Sequence, residues 1–146
     1  MTITSAICNS FKVEMLTAVH NFTASSGNTF NLALYTSSAT LNKSTTAYAS
    51  TNEIANTSGS AYSAKGKALT SVTPVLSSDT AVCDFANVSW TSASFTARGC
   101  LIFNDTASGD PAVCAIDFGG DKTVTSGTFT IEFPAADASN AIVRIA

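Results

Sequence analysis

The sequence predicts a mainly β protein: an antiparallel β-sandwich of jelly-roll-like type, with one N-terminal amphipathic helix packed on it. Short apolar segments of alternating pattern recur along the chain, separated by turns rich in Gly, Asn, Asp, Ser and Thr. These segments do not alternate with helical patterns, as they would in an α/β fold. The 146 residues fit a single domain, residues 1–146, because a chain of this length buries enough surface to form one core.

The only helical pattern lies in residues 5–22. Apolar side chains recur there at helical spacing, with polar residues between them: Ile7, Phe11, Met15 or Leu16, Val19 and Phe22. One amphipathic helix in a β-rich chain cannot form a core of its own, so we expect it to lie on the sheet.

The first strand is predicted at residues 29–36, where one face carries Phe and Leu side chains, and we expect it to be half buried. The next segment, residues 37–66, is too polar for a core strand. A loop of this length in a compact domain is usually functional or held by a neighbour. We therefore expect a long ordered surface excursion, in which the large side chains of Tyr48, Ile54 and Tyr62 contact a partner.

Several short strands complete the predicted sheets. Residues 65–70 and 72–76 surround Pro74, which indicates a sheet edge or a break because proline cannot donate to a strand ladder. Further short strands are expected at residues 81–85, 88–91, 128–133 and 141–146.

Two apolar runs face each other across a polar turn in residues 88–118, which are predicted to form a hairpin. The turn at residues 104–111 contains Asn, Asp, Ser, Gly and Pro, which favour turns for distinct backbone reasons. Closing the hairpin symmetrically about Ser108 predicts four cross-strand pairs: Cys100 with Ile116, Leu101 with Ala115, Ile102 with Cys114, and Phe103 with Val113. Both faces are apolar and need a cover. We expect a second sheet on one face, and the helix, a loop or a neighbouring subunit on the other.

The composition disfavours a nucleic-acid or membrane partner. Charged residues make up 12% of the chain, and the seven Lys and Arg residues are dispersed within a net charge of -3. No apolar run approaches the roughly 20 residues that span a bilayer, and the N-terminus does not resemble an export signal. We therefore expect synthesis in a reducing cytoplasm, where the four dispersed cysteines stay as buried thiols instead of forming disulfides or a zinc site.

No catalytic motif is present, so we expect a protein that is not an enzyme and has no catalytic, cofactor or metal site. The single histidine, His20, is predicted at the end of the helix, where its charge suits the helix dipole. The chain has no nucleophile elbow or phosphate-binding loop, and the aspartates near its turns match no calcium loop. A polysaccharide hydrolase would need paired carboxylates, whereas the three glutamates are dispersed, at Glu14, Glu53 and Glu132.

Four segments carry a resemblance to a known family: LALYTSSATL, YSAKGKALT, VSWTSASFTARGCLIF and IEFPAADASNAIVRIA. Over nearly its whole length the chain resembles small virion proteins encoded by tailed bacteriophages. The resemblance implies a structural protein of the virion, most specifically a capsid decoration or cement protein on the outer head shell. Its expected partners are the major capsid protein and further copies of itself, as a homotrimer.

On the capsid surface, such a protein would clamp neighbouring capsid subunits together. The alternative is a tail or adsorption component that binds a host surface glycan. That function would use exposed aromatic side chains as a sugar-stacking platform, and the candidates are Tyr35, Tyr48, Tyr62 and Trp90. Such aromatics more often belong to a core or an interface than to a sugar-binding platform.

Overall fold

The computed structural model describes all 146 residues and shows a mainly β fold with two antiparallel sheets and one short helix. The elements are β1 (Ala6–Ile7), α1 (Asn9–Leu16), β2 (Phe30–Tyr35), β3 (Lys67–Ala68), β4 (Ser71–Ser77), β5 (Thr80–Phe85), β6 (Val88–Asn104), β7 (Ala112–Ile131) and β8 (Val143–Ile145). The larger sheet has the order β1-β7-β6-β2-β3, and the smaller sheet has the order β4-β5-β8. The prediction of a mainly β protein is confirmed.

The hairpin of β6 and β7 forms the centre of the larger sheet, in nearly the register that the sequence predicts. Three predicted pairs are present: Cys100 with Ile116, Leu101 with Ala115, and Ile102 with Cys114. The fourth is wrong by one residue, because the register shifts after Ile102 and Phe103 pairs with Ala112.

β6 and β7 are much longer than the short strands predicted for this part of the chain. The strands expected at residues 88–91 and 128–133 lie at the far ends of β6 and β7, which are 17 and 20 residues long. Register irregularities around Ala93 and Ala97 accommodate bending of the pair. Gly119 has a φ of 76°, a left-handed conformation that glycine adopts without steric cost. The polar segment expected to connect two strands is therefore a bent part of β7.

β2 is buried on both faces, so the prediction of a half-buried strand is wrong. On one face, the ring centroid of Phe30 lies 5.9 Å from that of Phe85 in the smaller sheet. On the other face, Phe103 pairs with Asn31 and stacks on Tyr48 of the excursion, with ring centroids 4.7 Å apart. The second sheet and a loop are therefore the two covers that the larger sheet needs.

The chain covers its core without help from a neighbouring subunit. Its solvent-accessible surface is 7196 Å². A folded monomer of 15.0 kDa is expected to expose about 7,000 Å². The two areas agree, as expected for a chain of this size that folds around one core.

The helix is shorter than predicted, because α1 forms only part of residues 5–22. Before it, the chain forms β1 alongside β7. After it, Ala18 has a φ of 58°, and the N–H groups of Ala18 and Val19 donate to the carbonyl oxygens of Met15 and Glu14. This is a Schellman motif, which ends a helix by placing one residue in the left-handed region. The apolar residues that recur at helical spacing in the sequence therefore belong to three elements: a strand, a helix and a turn.

α1 packs on the sheet mainly through one residue. Phe11 is buried against Phe22, and Phe22 stacks on Phe30 with ring centroids 4.2 Å apart. Val13 and Leu16 are 63% and 90% exposed. The prediction that the helix lies on the sheet is confirmed, although Phe11 is its one buried residue. The chain contains no helix with the length and apolar character needed to cross a membrane.

Pro74 lies in the edge strand β4, as the sequence predicts. The register of β4 with β5 shifts between Val72 and Val75, on either side of the proline. Proline is tolerated at such a break because it has no N–H group to donate. The predicted last strand is present as β8, which pairs with β5.

Candidate functional site

The excursion contains no extended strand and is held on the larger sheet by a cluster of side chains around Glu53. We call Glu53, Tyr48, Tyr62 and Lys65 the Glu53 cluster. The hydroxyl groups of Tyr48 and Tyr62 donate to the two oxygens of the Glu53 carboxylate, at 2.6 and 2.7 Å. The Lys65 backbone N–H donates to the same carboxylate at 2.8 Å, and the Tyr62 hydroxyl accepts from the Leu34 N–H at 2.8 Å. One carboxylate therefore ties three points of the excursion together beside β2.

Two of the three residues predicted to contact a partner belong to the core instead. Ile54 and Tyr62 are 6% and 1% exposed, so neither offers a surface to another molecule. The Ile54 N–H donates to the Leu34 carbonyl oxygen at 2.9 Å, which places Ile54 beside the edge of β2. The partner-contact prediction is therefore wrong for Ile54 and Tyr62. Tyr48 is half buried against Phe103.

The Glu53 cluster keeps its phenols protonated. Burial, reinforced by the hydrogen bond to Glu53, raises the pKa of Tyr48 to about 12. Burial first, and the hydrogen bond to Glu53 second, raise the pKa of Tyr62 further above its ordinary value. Both phenols therefore act as hydrogen-bond donors at neutral pH and not as general bases.

The Lys65 side chain links the excursion to the turn between β6 and β7. Its Nζ lies 2.8 Å from Asp105 Oδ1, 2.9 Å from Asp110 Oδ2 and 5.7 Å from the centroid of the Tyr48 ring. The hydrogen bonds to the two aspartates raise the pKa of Lys65. All three charged groups are partly open to water, so these ion pairs fix the geometry of the loop more than they stabilise the fold.

Three of the four aromatic residues considered for a sugar-stacking platform are buried. Tyr35, Tyr62 and Trp90 are each 1% exposed. The Tyr35 hydroxyl donates to the Ala49 carbonyl oxygen at 2.8 Å, and the Trp90 ring packs edge-on against Phe129. These rings make core contacts and present no face to a sugar.

His20 lies beyond the end of α1, in a buried polar cluster and not at a helix terminus. Its Nε2 lies 2.7 Å from Glu14 Oε2, and its Nδ1 lies 3.1 Å from the side-chain nitrogen of Asn104. The side-chain oxygen of Asn104 accepts from the backbone N–H groups of Thr106 and Ala107, which assigns its nitrogen as the donor toward His20. Nδ1 is therefore the acceptor, and Nε2 donates to Glu14. No hydroxyl or thiol group is hydrogen-bonded to the imidazole.

The four cysteines are free and buried, as predicted: Cys8, Cys83, Cys100 and Cys114. Burial raises the pKa of Cys8 to about 11 and the pKa values of Cys83 and Cys100 to about 12. Thiols that stay protonated at neutral pH are poor nucleophiles. No group of three or more His, Cys, Asp and Glu side chains is arranged to hold a metal ion.

A row of exposed apolar residues crosses the smaller sheet, and we call Leu76, Ala81 and Ile145 the end patch. Leu76 on β4 pairs with Ala81 on β5, and Ala81 pairs with Ile145 on β8, so the three side chains share one face. Leu76 and Ile145 are 71% and 57% exposed. Ala81 and Ile145 also line a small apolar cavity with Met15 and Phe22, so the end patch continues the core out to the surface.

A second apolar surface is a groove of about 560 Å³ along β7, which we call the β7 groove. Its apolar lining includes Ile116, Phe118, Phe129, Ile131, Phe133 and Ile142. Lys122 and Glu132 border the groove, and neither of them takes part in an ion pair. Neither the end patch nor the β7 groove was predicted from the sequence, because both depend on how β4, β7 and β8 are placed in the fold.

Comparison with protein-family models, curated proteins and solved structures finds no match to this chain. The end patch, together with the sequence resemblance, is therefore the basis on which we propose a function.

Proposed function

We propose that the chain is a non-enzymatic structural protein of a bacteriophage virion, and specifically a decoration or cement protein on the outer surface of the capsid. The observation that carries this proposal is the end patch. When a folded monomer leaves a row of aliphatic side chains exposed across a sheet, that row usually marks a site where another molecule binds. The resemblance to small virion proteins supplies the class of particle.

The proposed partner of the end patch is the major capsid protein, with further copies of this chain arranged as a homotrimer. Leu76 and Ile145 provide an apolar centre for such a contact, and polar residues of the surrounding loops provide its rim. The rest of the surface is weakly charged and rich in hydroxyl groups. The chain would be made in the host cytoplasm and would join the capsid surface during assembly.

The proposed mechanism is a clamp. A protein bound across two capsid subunits adds interfaces that must break before the shell opens under the pressure of packaged DNA. Two linked contacts hold more strongly than either alone, because the second contact forms at high effective concentration.

For the fold, we propose that the two sheets form a sandwich of jelly-roll-like type. Phe30 of the larger sheet and Phe85 of the smaller sheet pack against each other, and Phe22 contacts both rings. Aromatic contacts of this kind are expected where two sheets face each other across a shared core.

The proposal of a non-enzymatic role is supported by the engagement of each reactive side chain in packing. His20 is held by Glu14 and Asn104, the cysteines are buried, and Glu53 accepts three hydrogen bonds from the excursion. Each of these groups has a structural partner, and none is paired with a nucleophile or with a second carboxylate.

The deciding experiment is a cryo-EM map of the virion that carries this chain, at a resolution that resolves side chains. Symmetric copies on the outer face of the head, with Leu76 and Ile145 against a capsid subunit, are the expected result. Density for the chain only at the tail or baseplate would overturn the capsid assignment.

A double variant, Leu76→Ser with Ile145→Ser, tests the end patch directly. Burying each side chain contributes about 1.5 kcal/mol, so the double variant should bind stripped capsids roughly 100-fold more weakly. The control is Val75→Ser, because Val75 is 54% exposed on the opposite face of the same strand. Equal capsid binding by the wild type and the double variant would exclude the end patch as the contact.

The alternative of a tail or adsorption component has less support. Of the aromatic residues that would stack on a glycan, only Tyr48 keeps an exposed part. Binding of the isolated protein to host cells or to a glycan array would revive this alternative.

A further inference from the structure

The long strand β7 leaves most of its outer edge without a backbone partner. On that side its first residues, Ala112 and Val113, form backbone hydrogen bonds with Thr46 and Cys8, and Cys114 and Ala115 pair with β1. The N–H of Asp117 donates to the Ser5 hydroxyl. The chain then departs from this edge, because Thr4 donates to the Leu41 carbonyl oxygen instead. From residue 120 to residue 131, the backbone hydrogen bonds of β7 to other strands reach only β6.

The β7 groove lies against this free edge. Its lining includes Phe129, Thr130 and Ile131 at the end of β7, and residues 132–134 of the segment that follows. Side chains alternate between the two faces of a strand, so a groove that touches both Phe129 and Thr130 extends from one face of β7 toward its edge. A smaller groove, which shares Ile116 and Ile142 with the first one, extends the apolar surface to β1.

These two features specify the chemistry of the missing occupant. Unpaired N–H and C=O groups along a strand edge are best satisfied by another extended backbone. An apolar groove beside that edge accepts alternate side chains of the added strand. The chain itself uses this arrangement once, since β1 is a strand added antiparallel to the same edge.

We propose that the β7 groove binds an extended segment of a partner polypeptide, which adds to β7 as a new strand and continues the line of β1. The segment has apolar residues at alternate positions. It carries an acidic residue near Lys122 and a basic residue near Glu132, because these two border residues have no ion-pair partner of their own. Ser126 has a φ of 47° and interrupts the pleat, and the stretch from Gly127 to Ile131 beyond it is long enough for a short added strand of about five residues.

This inference is independent of the capsid assignment, because it rests on the free edge of β7 and the groove and not on the end patch. If the protein is located elsewhere than the capsid, the β7 groove should still bind a strand. If the end patch is the only contact surface of a capsid protein, the β7 groove should bind no strand.

The test uses the full chain and a panel of short synthetic peptides with valine, leucine or phenylalanine at alternate positions, threonine between them, and opposite charges at the two ends. We expect saturable binding of at least one peptide, with amide chemical-shift changes in residues 120–131. A matched peptide carries N-methyl groups on the backbone nitrogens that would face β7. It has the same apolar side chains, and it should bind at least about tenfold more weakly because it cannot donate to the free edge.

The border charge is tested by Lys122→Glu, with Lys43→Glu as the control at another exposed lysine. We expect Lys122→Glu to weaken the preferred peptide about threefold, as suits one exposed ion pair, and Lys43→Glu to leave its affinity unchanged. Equal binding of the parent and N-methylated peptides would overturn strand addition. So would the absence of saturable binding across the panel, or a dimer of the free protein in which the same amides are already protected by a second copy.

Discussion

Replacing Tyr62 with phenylalanine tests whether the excursion is part of the core or a surface attachment. The substitution removes one hydroxyl that donates to Glu53 at 2.7 Å and accepts from the Leu34 N–H at 2.8 Å. A hydrogen bond to a charged acceptor contributes about 1.5–3 kcal/mol, and a buried N–H group left without an acceptor costs about 1–3 kcal/mol. Because these terms overlap in one hydroxyl, we expect Tyr62→Phe to lower the free energy of unfolding by about 3 kcal/mol.

This loss is large enough to measure by thermal unfolding followed by circular dichroism. The unfolding entropy of a 146-residue chain is about 0.3 kcal/mol/K, so a loss of 3 kcal/mol lowers Tm by about 10 °C. Urea unfolding should show the same loss as a lower midpoint with an unchanged slope.

The matched control is Tyr48→Phe, because Tyr48 donates to the same carboxylate at 2.6 Å. Tyr48 is half buried, so water can replace its hydroxyl, and we expect a loss of about 1 kcal/mol or less. A Tyr62→Phe protein that unfolds at the wild-type midpoint, or one that is no less stable than Tyr48→Phe, would refute the placement of Tyr62 in the core. By the same reasoning, serine at Tyr48, Ile54 and Tyr62 together should abolish the folded monomer.

Three further predictions follow from the backbone, from a buried carboxyl and from the thiols. Ala18→Gly should raise the free energy of unfolding by about 1 kcal/mol, since Ala18 has a φ of 58°, whereas Ala86→Gly at an exposed position without positive φ should lower it. Asp84 is buried, one of its oxygens has no hydrogen-bond partner, and burial raises its pKa. The folded state therefore holds this proton more tightly, so wild-type stability should fall as pH rises from the unfolded pKa of about 4 through the raised folded pKa. Asp84→Asn should lack that fall, and parallel pH profiles of the two proteins would contradict the assignment. The four cysteines should react with a maleimide only as the protein unfolds, with a urea midpoint equal to that of circular dichroism; fast labelling of the native protein would contradict their burial.

The hairpin illustrates what a local pattern can predict. Alternating apolar residues fix which side chains share a face, and a turn rich in Asn, Asp, Gly and Pro fixes where the chain reverses. Together they give three correct pairs, including Leu101 with Ala115. The bulge after Ile102 is not visible in the pattern, because it inserts an extra residue without changing the apolar character of either strand.

The excursion illustrates what a local pattern cannot predict. Large side chains isolated in a polar segment fit a partner contact and a core contact equally well, since the difference lies in what folds beneath them. Tyr62 is core because it reaches the Leu34 N–H of a strand 28 residues away. Glu53 could have indicated this contact, because a lone carboxylate between two tyrosines is a natural acceptor for both hydroxyl groups. The end patch and the β7 groove required the placement of β4, β7 and β8, which no local pattern contains.

An exposed apolar groove beside an open strand edge raises the question of why the protein would not polymerise through it. Natural sheets limit edge-to-edge pairing with charges, bulges and prolines. β7 carries Asp121 and Lys122 on its open stretch, and Gly119 and Ser126 have positive φ values that interrupt the regular pleat. The open edge of β4 contains Pro74 at a register break, so it is poorly suited to pair with the edge of β7. The edge of β4 is therefore a poor partner for the edge of β7. The interruptions on β7 apply equally to a segment of another polypeptide, so the strand that we propose to bind there is short and pairs with the regular stretch between Ser126 and the end of β7 at Ile131.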